Sequence, residues 1–393
     1  MNITKVNNAK ITYMLSQAVF WCTYGISWSY TASFLSSKGY SSFIIGLVTG
    51  IGAVISVILQ PVIAAVTRRF NVLCTKRNII ILKTLSLAAS AFIMFNPPGA
   101  YTTAVLFTVL TAIDASVPSM LSTLAMDYIN GGNQLNFGLA RGCGSISYAI
   151  FTLILGYVVQ YLGADILMAM YIVLGFINII TVVLFPVDNS KEHFADNNKD
   201  SNILRKYPFL IFFLTACVLL YIAHNIFNVF LLNIVQRAGG DNTNLGIALA
   251  ISAFVELPAM AAIVKIAKKI SIEKVILVSS ISFTLKAAAC VFAVSIPAVY
   301  AVSAMQMIAF ALFTPGSVYF INKHMQPHDS AIGQALIGSC TLGLGGTLGN
   351  IIGGLVIDIA GLTPTLIFSA ILSACGTVVM FMAMRVIKIC NRH

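Results

Sequence analysis

Glu256 and Lys286 each stand near the middle of an apolar stretch, as does Asp114, while Asp127 and Arg141 flank a single turn. A charge at the centre of a bilayer costs about 2.5–3.5 kcal/mol or more, so such groups face a partner or a water-filled cavity. Glu256 is the leading candidate for chemistry. It can accept hydrogen bonds from solute hydroxyls, or it can carry a proton, because burial disfavours the ionised form of any carboxyl. A structural ion pair with Lys286 is the alternative. Asp127 and Asp114 are further proton-coupling candidates, and Asp127 with Arg141 also reads as a structural pair.

Arg141 and Tyr148 are seven residues apart. On a helix that spacing puts them on one face, separated by about 10 Å. A guanidinium fork takes hydroxyls and an aromatic ring packs against C–H groups, so the pair could hold a sugar; a plain core aromatic is the alternative for Tyr148. His224, Asn225 and Asn228 lie close together farther on, the two asparagines on one face. Their amides suit a neutral polyol, or they serve as hydrogen-bonding glue between helices. Trp28 and Gln306 are similar cavity candidates. No HxxxH, CxxC or carboxylate cluster points to a metal, no cofactor motif is legible, and no Ser/His/Asp arrangement points to an enzyme. The run Gly343-Leu344-Gly345-Gly346-Thr347-Leu348-Gly349 follows no strand and lies in an apolar helix, so it is not a phosphate loop.

The elements that must position these residues are helices in lipid. Hydrophobic residues make up 59% of the 393 and charged residues 9%, against about 25% charged in a soluble domain. Twelve stretches have bilayer-crossing length: 11–37, 41–66, 78–96, 102–129, 137–162, 166–187, 208–235, 244–267, 275–294, 298–322, 331–358 and 364–385. A hydrocarbon core of about 30 Å needs about 20 such residues, with every backbone hydrogen bond closed inside a helix. The expected fold is all-α, with six-helix bundles at 1–187 and 208–393 joined by a polar linker at 188–207.

With the first residues cytoplasmic, eighteen of the 23 Lys and Arg fall on one side, and only Lys38 and Arg237 on the other. That bias places both termini in the cytoplasm. It also accounts for the net charge of +11 without a nucleic-acid partner. The halves repeat. Pro61, Ala64, Ala65 and Arg68 recur as Pro258, Ala261, Ala262 and Lys265, and Gly156 with Gly163 recurs as Gly354 with Gly361. Two matching bundles around a midplane site are what alternating access requires.

With these residues in place, nearly the whole chain resembles the major facilitator superfamily, and within it the lactose-permease-like oligosaccharide:proton symporters. Phe137-Gly138-Leu139-Ala140-Arg141 with Tyr148 is similar to the permease segment whose arginine binds galactoside and whose aromatic, seven residues on, stacks on the ring. Glu256-Leu257 resembles the eighth-helix glutamate, Lys286 stands where that family has an arginine, and Gln60-Pro61 matches a second-helix signature. There are departures. Arg68 replaces the loop aspartate, Asn225 and Asn228 replace seventh-helix aspartates, and Ser303, Gln306 and Ala309 replace a Lys, His and Glu. The resemblance implies a transporter of the cytoplasmic membrane, acting as a monomer and moving an oligosaccharide-like solute with a proton. A multidrug exporter, a nucleoside carrier and a uniporter are the alternatives.

Overall fold

The computed structural model describes residues 3–69, 74–96, 100–186 and 203–390. Most of the linker expected at 188–207 and the side chain of Arg68 lie outside the described residues. The chain divides into two compact units, 1–40 with 51–197 and 41–50 with 198–393. Eleven helical segments among the described residues are long and apolar enough to cross a membrane. The broken run from Ile3 to Ser37 is consistent with a twelfth.

The first unit contains α1 (Ile3–Tyr24), a π-helical turn (Gly25–Ser29), α2 (Thr31–Ser37), and α3 (Ser42–Arg69) from residue 51 onward. It continues through α4 (Thr75–Phe95), α5 (Tyr101–Asn130), α6 (Phe137–Leu162) and α7 (Ile166–Leu184). Within it α1 packs on α6 and α7, and α4 packs on α5 and α7. The second unit holds α8 (Ile203–Lys206), α9 (Phe209–Val229), α10 (Leu231–Arg237), α11 (Asn242–Lys269), α12 (Ile272–Phe292), α13 (Ile296–Ala304) and α14 (Gln306–His324). It ends with α15 (Pro327–Gly338), a second π segment (Ser339–Gly345), α16 (Gly346–Ala360) and α17 (Leu362–Cys390). Here α9 packs on α16 and α17, and α12 on α14 and α17.

Residues 41–50 sort with the second unit because glycines let backbones meet there. A Cβ on Gly46 would collide with the Asn350 carbonyl, and one on Gly354 with the Ser42 carbonyl. Asp358 accepts from the Ser42 and Phe43 amides at 3.0 and 2.8 Å, which supplies partners for the start of α3.

The repeat visible in the sequence is also a repeat of backbone geometry. Tyr30 and Phe230 break the first crossing of each half at φ −102° and ψ 11° and 22°. Gly39 and Gly239 follow at φ 83° and 80°. Pro61 and Pro258 sit inside helices of 28 residues each. Gly163 and Gly361 terminate α6 and α16 at φ 82°, ψ 165° and φ 89°, ψ 174°, a conformation open essentially to glycine alone.

Four crossings expected as continuous helices are interrupted. The first has its π turn, the seventh breaks at Phe230, the tenth at Met305, and the eleventh carries the π segment Ser339–Gly345. An extra residue in a turn leaves the apolar composition unchanged, so hydropathy alone does not register it.

In lipid the apolar effect does not draw helices together; dispersion and polar contacts do. The first unit packs Tyr13, Phe20, Leu121, Tyr128 and Phe185 at its centre. The second stacks Phe213 on Phe320 at 4.6 Å. Most hydroxyls are used locally. Thr49, Ser56, Thr108, Ser116, Ser280 and Thr341 each donate to a carbonyl three or four residues earlier in the same helix.

Candidate functional site

In the first unit Arg141 and Tyr148 do share a face of α6, and both meet Trp21 of α1, a residue the sequence reading passed over. The Arg141 guanidinium carbon lies 4.0 Å from the Trp21 ring centroid, and Tyr148 meets the same ring edge-on at 6.5 Å. Gly144 makes this approach possible, because a Cβ there would strike the indole. Arg141 also donates to Ser145 Oγ at 3.0 Å. Trp21 Nε1 donates to Gln17, Gln17 donates to Tyr13, and Tyr13 donates to the Leu121 carbonyl. The indole is therefore fixed from behind by a chain of donors.

Trp28 stacks on Tyr24 at 5.8 Å and 18°, and Tyr24 in turn meets Trp21 at 5.0 Å. The indole nitrogen of Trp28 is buried with no hydrogen-bond partner among the described residues. Ser29, in the π turn, is hydrogen-bonded to the Tyr148 hydroxyl at 2.6 Å. Four aromatic rings and one guanidinium thus form a continuous wall. The chain has only two tryptophans, Trp21 and Trp28, seven residues apart in the first stretch. That spacing was the signal that would have found Trp21.

Asp114 is placed elsewhere in the same unit. It pairs with Lys83 at 2.7 Å, and both side chains are completely buried. Tyr171 donates to the carboxylate at 3.0 Å and Ser27 at 2.6 Å, while Lys83 also donates to Thr23 and to the Tyr171 oxygen. The Thr23 hydroxyl in turn donates to the Phe20 carbonyl. Every donor in the cluster has an acceptor, the condition under which a buried ion pair is tolerated. Asp127 lies in the last turn of α5, half-buried.

In the second unit Glu256 and Lys286 are joined through Gln306. Lys286 Nζ donates to Gln306 Oε1, and Gln306 Nε2 donates to Glu256 Oε1 at 3.0 Å. Lys286 and Gln306 are buried, whereas Glu256 is part-exposed. The ammonium lies 3.8 Å from the Phe227 ring centroid. Asn228 donates to His224 Nε2 at 2.9 Å, which assigns the ring proton to Nδ1. That nitrogen is buried without a partner among the described residues, and the ring stacks on Phe310 at 4.9 Å and 7°. Asn225 donates one of its two amide hydrogens to the Tyr221 carbonyl of its own helix. A small, mostly apolar pocket adjoins the set, lined by His224, Phe227, Phe283, Lys286, Cys290 and Ser369.

The arrangement offers two chemistries inside lipid-crossing helices. The first unit presents a flat aromatic and guanidinium surface. The second presents a chain of carboxylate, amide and ammonium with an imidazole nearby. Neither contains a nucleophile held by a base.

Comparison with known proteins bears on the fold. The profile of the MFS_1 like family matches residues 6–368. No curated protein matches the chain by sequence. Among solved structures, the nucleoside transporter NupG is similar at a TM-score of 0.81 and 17% identity, over 97% of this chain and 99% of that one. A point mutant of NupG gives 0.82 at 17%, over 96% and 99%. A bacterial homologue of the human lysosomal transporter Spinster gives 0.67 at 10%, over 98% of each chain. On the extent of the profile match, and with the fold just described, the chain belongs to the MFS_1 like family of the major facilitator superfamily.

Proposed function

We propose that the protein is a secondary transporter for a neutral solute carrying both a flat ring and hydroxyls, a nucleoside in the first instance. The observation that carries this reading is the wall of Trp21, Tyr24, Trp28 and Tyr148 with Arg141 laid on Trp21. Stacking rewards a flat π-face, and a guanidinium fork takes ring oxygens and hydroxyls. A nucleobase supplies the first and a ribose the second. NupG, described as a nucleoside transporter, has a similar fold and supports the choice. A sugar or oligosaccharide is the second reading, favoured by the ordered carboxylate–amide chain of Glu256 and Gln306.

In this reading Glu256 and Gln306 bind hydroxyls, with Asn225, Asn228 and His224 adding polar contacts and Lys286 acting through Gln306. On the same reading Glu256 carries the proton in symport, because it is the acid of the Glu256–Gln306–Lys286 set and is part-exposed. The charge bias of the loops supports cytoplasmic termini, and in this reading the protein acts as a monomer in the cytoplasmic membrane. Titration calorimetry on the purified protein with uridine, adenosine, a disaccharide panel and lipophilic cations tests the reading. Nucleoside binding that is lost in Arg141→Ala and Glu256→Gln is expected. Binding of disaccharides or lipophilic cations without nucleosides would overturn it.

A further inference from the structure

We propose that Lys83 and Asp114 are positioning residues, a fixed ion pair that holds the π turn of the first crossing and, through it, the aromatic wall. The inference rests on the reading of that wall as the solute site, and its spectroscopic test does not.

A π turn fits one extra residue into a helix and is seldom stable without support. Here Tyr30 N donates to Gly25 O, five residues back, at 3.2 Å. The turn carries two serines with different tasks. Ser27 donates to Asp114 Oδ2 at 2.6 Å, and Ser29 bonds the Tyr148 hydroxyl at 2.6 Å. Trp28 lies between them, stacked on Tyr24.

Each residue of an α-helix turns about 100°, so removing the extra residue would rotate everything beyond it by that angle. Ser27, Trp28 and Ser29 could not then all keep their partners. Asp114 is in turn anchored. Lys83 of α4 and Tyr171 of α7 hold it from two other helices, and no water reaches either charge of the pair. The Lys83 ammonium also lies 5.3 Å from the Phe20 ring and 5.1 Å from the Tyr171 ring, which encloses it further. The path from pair to wall is therefore short: Lys83, Asp114, Ser27, the turn, Ser29, Tyr148. Gly25 eases the packing here, because a Cβ there would lie tight against the Thr152 methyl.

The two tryptophans flank the turn, so intrinsic fluorescence reads it directly. Ser27→Ala, Asp114→Asn and Lys83→Gln are made in Trp21→Phe and Trp28→Phe backgrounds and purified in detergent. A red-shifted emission and at least doubled acrylamide quenching of Trp28 are expected. Lys38→Met, which breaks the pair of Lys38 with Asp165 at 2.7 Å, leaves the signal unchanged. With both tryptophans present, Ser27→Ala raises the uridine Kd about three- to tenfold, the range of one lost hydrogen bond. Ser27→Ala removes one hydroxyl only, so it folds even if Asp114→Asn does not. Wild-type emission and quenching in Ser27→Ala overturn the proposal, as does an altered emission with an unchanged Kd. If uridine and the other solutes fail to bind the wild type, the functional reading fails and the fluorescence alone decides the role of the pair.

Discussion

Replacing Gln306 by leucine tests whether one amide joins the two charges of the second unit. Gln306 accepts from Lys286 and donates to Glu256, so a single side chain makes two charge-assisted hydrogen bonds. Each is worth about 1.5–3 kcal/mol net. Leucine keeps the bulk and removes both, leaving the buried Lys286 ammonium with the Phe227 face but without its oxygen acceptor. Breaking a buried charge pair on one side costs about 3–5 kcal/mol, and the two estimates agree. Adding Lys286→Met removes the stranded charge, and Glu256 is part-exposed and can turn to water. The double variant should therefore lose only about 1–2 kcal/mol, about 2–3 kcal/mol less than Gln306→Leu alone, so the two single costs should not add. Equilibrium unfolding of the four proteins in mixed micelles with rising SDS measures this. Costs that add to within about 0.5 kcal/mol would refute the connection.

Arg141→Lys keeps the charge but loses the planar fork over Trp21, and solute affinity should fall about five- to thirtyfold, read by calorimetry, since a stacked guanidinium is worth about 1–2 kcal/mol. Gly361→Ala has open space for its methyl but the wrong backbone, so it should cost about 1–3 kcal/mol in the same unfolding assay. Asp241 and Asn244 form a reciprocal capping box at the start of α11, and Asp241→Ala should cost about 1 kcal/mol with solute binding kept.

The crossings were legible because apolar length is a property of composition, and the span 137–162 coincides with α6 end to end. The partner of Arg141 was not legible. Nothing in the spacing of Arg141 and Tyr148 reveals that an indole from another helix lies on the guanidinium, since that depends on Gly144 permitting close approach. The surroundings of Asp114 were hidden for a similar reason: Lys83, Tyr171 and Ser27 come from three helices, and helix order does not give rotation. Glu256 and Lys286 were readable as a possible pair, but the intervening Gln306 was read separately as a cavity group. Hydropathy could not show the π turn at Gly25–Ser29, although it decides where Trp28 and Ser29 point.

The buried lysines bear on how the chain enters the bilayer as it leaves the ribosome. Hydroxyls that bond their own helix bring no unmet demand with them, so those segments can be released into lipid singly. Lys83 and Lys286 cannot. Each finds its acceptor in the next crossing: Lys83 of α4 meets Asp114 of α5, and Lys286 of α12 meets Gln306 in the broken crossing of α13 and α14. Insertion at these two points should then proceed in pairs, with the insertion machinery retaining the first member until the second emerges.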